Sequence, residues 1–169
     1  SNTSAVQIRE QNAKLAGMNV VSEPIVSYTS GNLASHVLGY VGAINEKEYE
    51  TKKDTYRNDD IIGKDGIQKV FEEYLKGTDG VKQVDMTVDG AITSEYISEE
   101  AVAGSDVILT IDANLQKVAE DALEKNIKDI AAGKYGEKHD ADAGAVIVMN
   151  VNTGEVLAMA SYPDYNPER

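Results

Sequence analysis

Two apolar segments near the C-terminus constrain this chain more than any other feature. Ala143 to Val151 and Glu155 to Ser161 are apolar almost without alternation, and Asn152-Thr153-Gly154 joins them. Their length and the turn residues between them predict a β-hairpin. Strands that do not alternate expect cover on both faces. The segment before them supplies one lid. Asp112 is a good N-cap, and Leu115, Val118, Ala122, Leu123, Ile127 and Ile130 fall on one stripe of a long helix. That stripe could dock a partner, but core packing is the favoured reading. One helix and one hairpin cannot cover both faces of an apolar sheet, so residues 105–169 read as a sheet begun and left without its remaining strands. Self-association through Ala143 to Ser161, by strand pairing or swapping, is expected from the open edge and the exposed apolar surface. Ser1-Asn2 opens the chain without an initiator Met, and the whole reads as a piece of something longer.

The first hundred residues follow a different pattern. Ala5 to Ala16 predicts a short helix ended by Gly17, and Val20 to Tyr28 a strand broken by Pro24. Asn32 is placed to cap a helix carrying Leu33, Val37 and Leu38. Asn45, with Glu48 three positions on, has a capping-box pattern, and Lys52 to Asp60 is loop-like. Gly66 to Leu75 predicts a helix with Ile67, Val70, Phe71, Tyr74 and Leu75 on one apolar face, stopped by Gly77. Val81 to Val88 and Ile92 to Ile97 alternate around Asp89-Gly90, a strong hairpin signal. Composition changes near Ala103-Gly104, and Val107 to Ile111 predicts a strand leading to Asp112. The fold class is therefore α+β, divided into residues 1–104 and 105–169.

Charge and chemistry exclude several functions. The net charge of −13 over 169 residues argues against a nucleic-acid partner, because phosphate neutralisation needs clusters of Lys and Arg. It argues equally against anionic lipid headgroups. Without Cys there are no thiol nucleophiles, thiolate metal sites or disulfides. No run approaches the roughly 18 apolar residues of a membrane span.

Serine acyl transfer of the penicillin-sensitive kind needs Ser-x-x-Lys, with Ser-x-Asn and Lys-Thr/Ser-Gly elsewhere. No Ser in this chain has a Lys three positions on. Ser30-Gly31-Asn32 matches the second motif and Lys64-Asp65-Gly66 half-matches the third, but without the nucleophile neither is catalytic. His36 and His139 have no metal-ligand spacing. His36 reads as a packing or capping residue and His139 as solvated. Asp140-x-Asp142 lacks the rest of a calcium loop, and Gly63-Lys64 lacks the rest of a phosphate loop. No catalytic, cofactor-binding or metal residue is assigned, and no cofactor is expected.

Four segments carry a family resemblance. Ala34-Ser35-His36-Val37-Leu38-Gly39-Tyr40-Val41-Gly42, after Tyr28-Thr29-Ser30-Gly31, resembles the pedestal or dimerisation domain of class B penicillin-binding proteins. Thr29 stands where the family has proline, and Val26-Ser27 where it favours arginine. Ile62-Gly63-Lys64-Asp65-Gly66-Ile67-Gln68-Lys69, with Phe71, Leu75, Gly77 and Gly80, is similar to the family's next helix and glycine motif, with Asp65 for Ser and Gln68 for Glu. Leu109-Thr110-Ile111-Asp112, Leu115 and Gln116 resemble the entry to the transpeptidase domain. Ala143 to Met149 and Thr153 to Pro163 resemble its first hairpin.

The resemblance implies a dimerisation domain followed by a long helix and an antiparallel hairpin from a transpeptidase domain that stops before its catalytic Ser-x-x-Lys. It implies a non-catalytic scaffold region of a D,D-transpeptidase that cross-links peptidoglycan. The parent would be anchored by an N-terminal helix at the extracytoplasmic face of a bacterial membrane. The implied partners are its own catalytic domain and cell-division or elongation proteins. A free-standing extracellular binding module that borrowed the pedestal is the alternative.

Overall fold

The computed structural model describes Val6, residues 25–88 and residues 92–168. Apart from Val6, the expected helix over Ala5 to Ala16 lies outside the described residues. So do the start of the Val20 to Tyr28 strand and the Asp89-Gly90 turn. The described end of that strand segment, Ile25 to Tyr28, has no strand structure.

The elements in chain order are α1 (Ser35–Leu38), β1 (Val41–Ala43), α2 (Glu46–Lys52), β2 (Ile61–Gly63), α3 (Gly66–Val70), α4 (Glu72–Leu75), β3 (Val81–Met86), β4 (Ile92–Glu99), α5 (Ala113–Ala131), β5 (Gly144–Met149) and β6 (Val156–Tyr162). The strands form three two-stranded antiparallel sheets, β1-β2, β3-β4 and β5-β6. This mixture bears out the α+β class. The chain separates into two compact units. One joins Ser27–Leu75 to Ser105–Arg169, and the other includes Lys76–Gly104.

In the larger unit, α5 lies on one face of β5-β6. Ala119, Ala158 and Ala160 are buried at the contact, with Leu115, Leu123, Val146 and Val148 packed around them. Small side chains on both elements let helix and sheet approach closely. At Gly144 an added Cβ would already lie 3.0 Å from the Ile127 Cδ1 and 3.2 Å from the Leu123 Cδ1. Asp112 caps the helix as expected, its Oδ1 accepting from the amides of Asn114 and Leu115 at 2.9 Å each.

The buried stripe differs from the expected one. It runs through Leu115, Gln116, Ala119, Leu123 and Ile127, whereas Val118 and Ala122 face outward. The i, i+4 ridge won over the apolar residues at i+3 because Gln116 is drawn inward by hydrogen bonds. The opposite face of the hairpin is open, with Ile147 61%, Met149 52% and Met159 38% exposed. The far end of α5 is tied by Asp129, whose carboxylate accepts from Lys125 at 2.9 Å and Lys134 at 2.5 Å. These two hydrogen bonds hold its carboxyl down at about 2.

Val107 to Ile111 is not a strand. The Thr110 hydroxyl donates to the Val156 carbonyl at 2.7 Å, and only the Asp112 amide pairs with β6, at Leu157 O, 2.9 Å away. A side chain thus takes the place of a ladder bond.

The first-half part of the same unit, residues 27–75, is built on glycine contacts. β1 pairs with β2 around α2. Asn45 and Glu48 form the full capping box, Glu48 N to Asn45 Oδ1 at 3.0 Å and Asn45 N to Glu48 Oε2 at 2.8 Å. The Glu48 carboxylate also accepts from Lys64 at 2.5 Å, the main reason its pKa is lowered. The expected helix over Gly66 to Leu75 is two short ones, broken at Phe71 (φ −106°, ψ 17°). Its expected apolar face is only half covered, with Ile67, Phe71 and Leu75 half-buried and Val70 and Tyr74 exposed. What holds α3 is backbone contact. A Cβ on Gly63 would sit 2.0 Å from the Gln68 carbonyl oxygen, and one on Gly39 would sit 1.8 Å from that of Asp65. The motif glycines are required because two backbones occupy the space a side chain would need.

The smaller unit carries the β3-β4 hairpin, whose strands pair as expected. Gly77 lies against the Val102 carbonyl, beside the Thr78–Val102 bridge.

The glycine packing gives a direct test. Gly63→Ala meets backbone atoms, whereas Gly154→Ala, at φ 79°, meets nothing within 4 Å. Gly63→Ala is expected to lose about 3 kcal/mol and Gly154→Ala about 1 kcal/mol in equilibrium denaturation. Equal losses would show that space at Gly63 is not the constraint.

Candidate functional site

The residues of the first-half signature converge with the last residues of the chain. The contacts run from Tyr28, Asn32 and α1 to α5 and to the extended segment after β6. Every one of them lies inside the larger unit.

Gln116 is the centre. Its side chain is fully buried, and three of its hydrogen-bonding sites are used. Nε2 donates to the Met159 carbonyl at 2.8 Å, and Oε1 accepts from the Met159 amide at 2.7 Å. The amide group therefore imitates a neighbouring strand and closes the free edge of β6 at that residue. Its second N–H donates to Glu120 Oε1 at 2.7 Å. The same oxygen accepts from the amide of Ala34 at 2.8 Å. Ala34 is left-handed at φ 54°, ψ 30° and 8% exposed. A non-glycine residue there costs about 1–2 kcal/mol. A hydrogen bond to a charged acceptor contributes about 1.5–3 kcal/mol, enough to hold it.

The segment after β6 then folds over α1. The Tyr165 hydroxyl donates to the Ser35 carbonyl at 2.8 Å, and its ring meets His36 edge-on at 5.0 Å and Tyr40 at 6.0 Å. His36 Nε2 lies 3.0 Å from the Pro163 carbonyl, across a cis Tyr162-Pro163 bond. The Asn32 side-chain amide donates to the Asp164 carboxylate, and the Tyr28 amide to Glu168 Oε1 at 3.1 Å. Burial raises the phenols of both Tyr28 and Tyr165.

His36 is itself exposed and meets the Pro163 carbonyl and the Tyr165 ring edge, and His139 is exposed. Asn32 does not cap α1. Ala34 occupies that position, and the Asn32 amide is committed to Asp164. In Lys64-Asp65-Gly66, Lys64 is paired with Glu48 and the Gly66 backbone packs on Val37 O. Asp65 makes no capping hydrogen bond. Glu72 takes on the polar role nearby, accepting from the Gly63 amide at 2.6 Å and the Tyr56 hydroxyl at 3.2 Å. Burial first, then the Glu72 charge, pushes the Tyr56 phenol up to about 12. Glu120 and Tyr165 were not singled out from the sequence. Glu120 gave no signal at all, while Tyr165 could have been flagged as an aromatic in an otherwise polar extended segment.

Among the described residues no His, Asp and Glu cluster could hold a metal ion. An open concavity of ≈ 410 Å³ beside α5 is lined by Lys125, Lys128, Asp129 and Lys134, with Asp121 and Glu124. Its lysines are paired with its acids. The arrangement at α1 can dock and orient chain.

The Penicillin-binding Protein dimerisation domain model matches residues 1–109. The chain is 32% identical over 166 residues to the peptidoglycan D,D-transpeptidase MrdA of Acinetobacter baumannii, covering 98% of this chain and 22% of that protein. It is 33% identical over 145 residues to MrdA of Escherichia coli K12, covering 83% and 20%. It thus spans about a fifth of the length of the curated relatives it matches. Among solved structures, a chain of a peptidoglycan synthase complex that coordinates polymerization and crosslinking superposes with a TM-score of 0.70 at 33% identity, over 95% of this chain and 28% of that one. With a family match over residues 1–109 of 169, this chain belongs to the penicillin-binding protein dimerisation-domain family.

Proposed function

We propose that the chain is the non-catalytic scaffold region of a peptidoglycan D,D-transpeptidase, with the pedestal ending at residue 104 and the catalytic domain beginning at 105. The observation that carries this is the destination of the signature's hydrogen bonds. Ala34, Ser35 and His36 are each bonded to α5 or to the segment after β6. The signature's work is to seat the start of the following domain. The proposed parent acts at the extracytoplasmic face of a bacterial membrane. Among the described residues no helix is long and apolar enough to cross one, and the proposed anchor is an N-terminal helix of the parent. Likeness to a chain of a peptidoglycan synthase complex supports partnership with other cell-wall synthesis proteins. Division or elongation proteins are the proposed class.

The chain carries no catalytic, cofactor-binding or metal residue in this reading. Incubation with a fluorescent penicillin followed by intact-mass analysis is expected to give no adduct. A stoichiometric serine-linked adduct would mean that an acylating site exists without Ser-x-x-Lys, and the scaffold reading would be wrong.

The isolated chain is also proposed to self-associate through the open face of β5-β6, where Ile147, Met149 and Met159 are exposed. Sedimentation velocity should show concentration-dependent association that disappears when residues 143–169 are deleted. A monomer at all concentrations would rule this out.

A further inference from the structure

The contacts at α1 close a ring. From the Met159 backbone they pass through Gln116 and Glu120 to Ala34, across to the Ser35 carbonyl, to Tyr165, and back along the chain to Met159. Among the described residues after β6, none is held by a backbone ladder. The segment's path is set by side chains at four points, Pro163, Asp164, Tyr165 and Glu168.

We infer that Tyr165 is a positioning residue for acyl transfer in the whole transpeptidase, fixing the direction in which the chain leaves β6. The inference rests on the proposed function, in which β5-β6 opens the catalytic domain. Among the described residues of the segment, Tyr165 alone combines a hydrogen bond to buried backbone with two edge-on ring contacts. Its acceptor belongs to Ser35, which is 2% exposed, so water cannot readily replace the phenol. The phenol is a donor at neutral pH with or without burial, which only raises its pKa further. The neighbouring ties are more replaceable, because Asn32, Asp164 and Glu168 are exposed. A sheet tethered at one end by replaceable contacts alone would rock against α1. Misplacement of reacting groups by about 1 Å costs roughly 10²-fold in rate.

The test uses the full-length transpeptidase carrying this chain, with a fluorescent penicillin as the acylating probe. Time courses over a range of probe concentrations separate the limiting acylation rate, the half-saturating concentration and the final stoichiometry. Tyr165→Phe, which removes only the hydroxyl, is expected to label to full stoichiometry with an unchanged half-saturating concentration. Its limiting rate should fall about tenfold, and that of Tyr165→Ala further. An unchanged rate in Tyr165→Phe would overturn the inference. So would reduced stoichiometry at the wild-type rate, which would show that the residue matters only for folding. Wild-type protein that takes no label would overturn the proposed function itself, and is distinguishable from both.

Discussion

The larger unit depends on one buried amide. Gln116 satisfies both backbone groups of Met159 and passes its remaining hydrogen bond to Glu120, which holds Ala34 in a left-handed conformation. Each link compensates a cost created by the next. The β6 edge would leave Met159 unpaired at the helix contact, and an unsatisfied buried backbone group costs about 1–3 kcal/mol. Ala34 would be strained without an acceptor for its amide. Glu120 would bring a charge to a half-buried position without donors. Together they join residues 82 positions apart in sequence, Ala34 and Gln116, through one carboxylate oxygen.

From Ala34 the constraint passes into the pedestal through backbone contacts. The turn that ends α1 at Gly39 lies against Asp65, and Gly63 lies against Gln68. Close-packed backbone transmits displacement with little slack. A shift at α1 is therefore felt at α3, and through Glu72 at β2. This is the physical content of the family's glycine spacing in this chain. The glycines leave room for strands and helix starts to touch.

Much of the fold was legible because it is local. The Asp112 cap, the Asn45–Glu48 box and the two hairpins are decided within a few residues, and the sequence patterns for them are specific. The resemblance placed the chain in its family through the order of its motifs. The elements that went astray were settled by distant partners. Asn32 looks like a cap and instead bonds Asp164, 132 positions away. Val118 looks like a core residue, yet the helix turns Gln116 inward because Met159 needs it. Gly66 to Leu75 has a helical apolar period, but backbone packing at Gly63 and Gly66 sets its start and Phe71 breaks it. The site was half legible. The signature from Ala34 to Gly42 was found, but Glu120 and Tyr165, two of its outside contacts, have no local signature. A surface-looking glutamate and a tyrosine in an extended tail become meaningful only when the fold brings them to α1.

Gln116 thus acts on Ala34 through Glu120, and not merely on its direct neighbour Met159. Amide hydrogen exchange in Gln116→Leu tests it at single residues, since the substitution removes the polar group at similar volume. Faster exchange is expected at both the Met159 amide, which Gln116 touches, and the Ala34 amide, which it does not. Loss of protection at Met159 with the Ala34 amide as protected as in the wild type would contradict it.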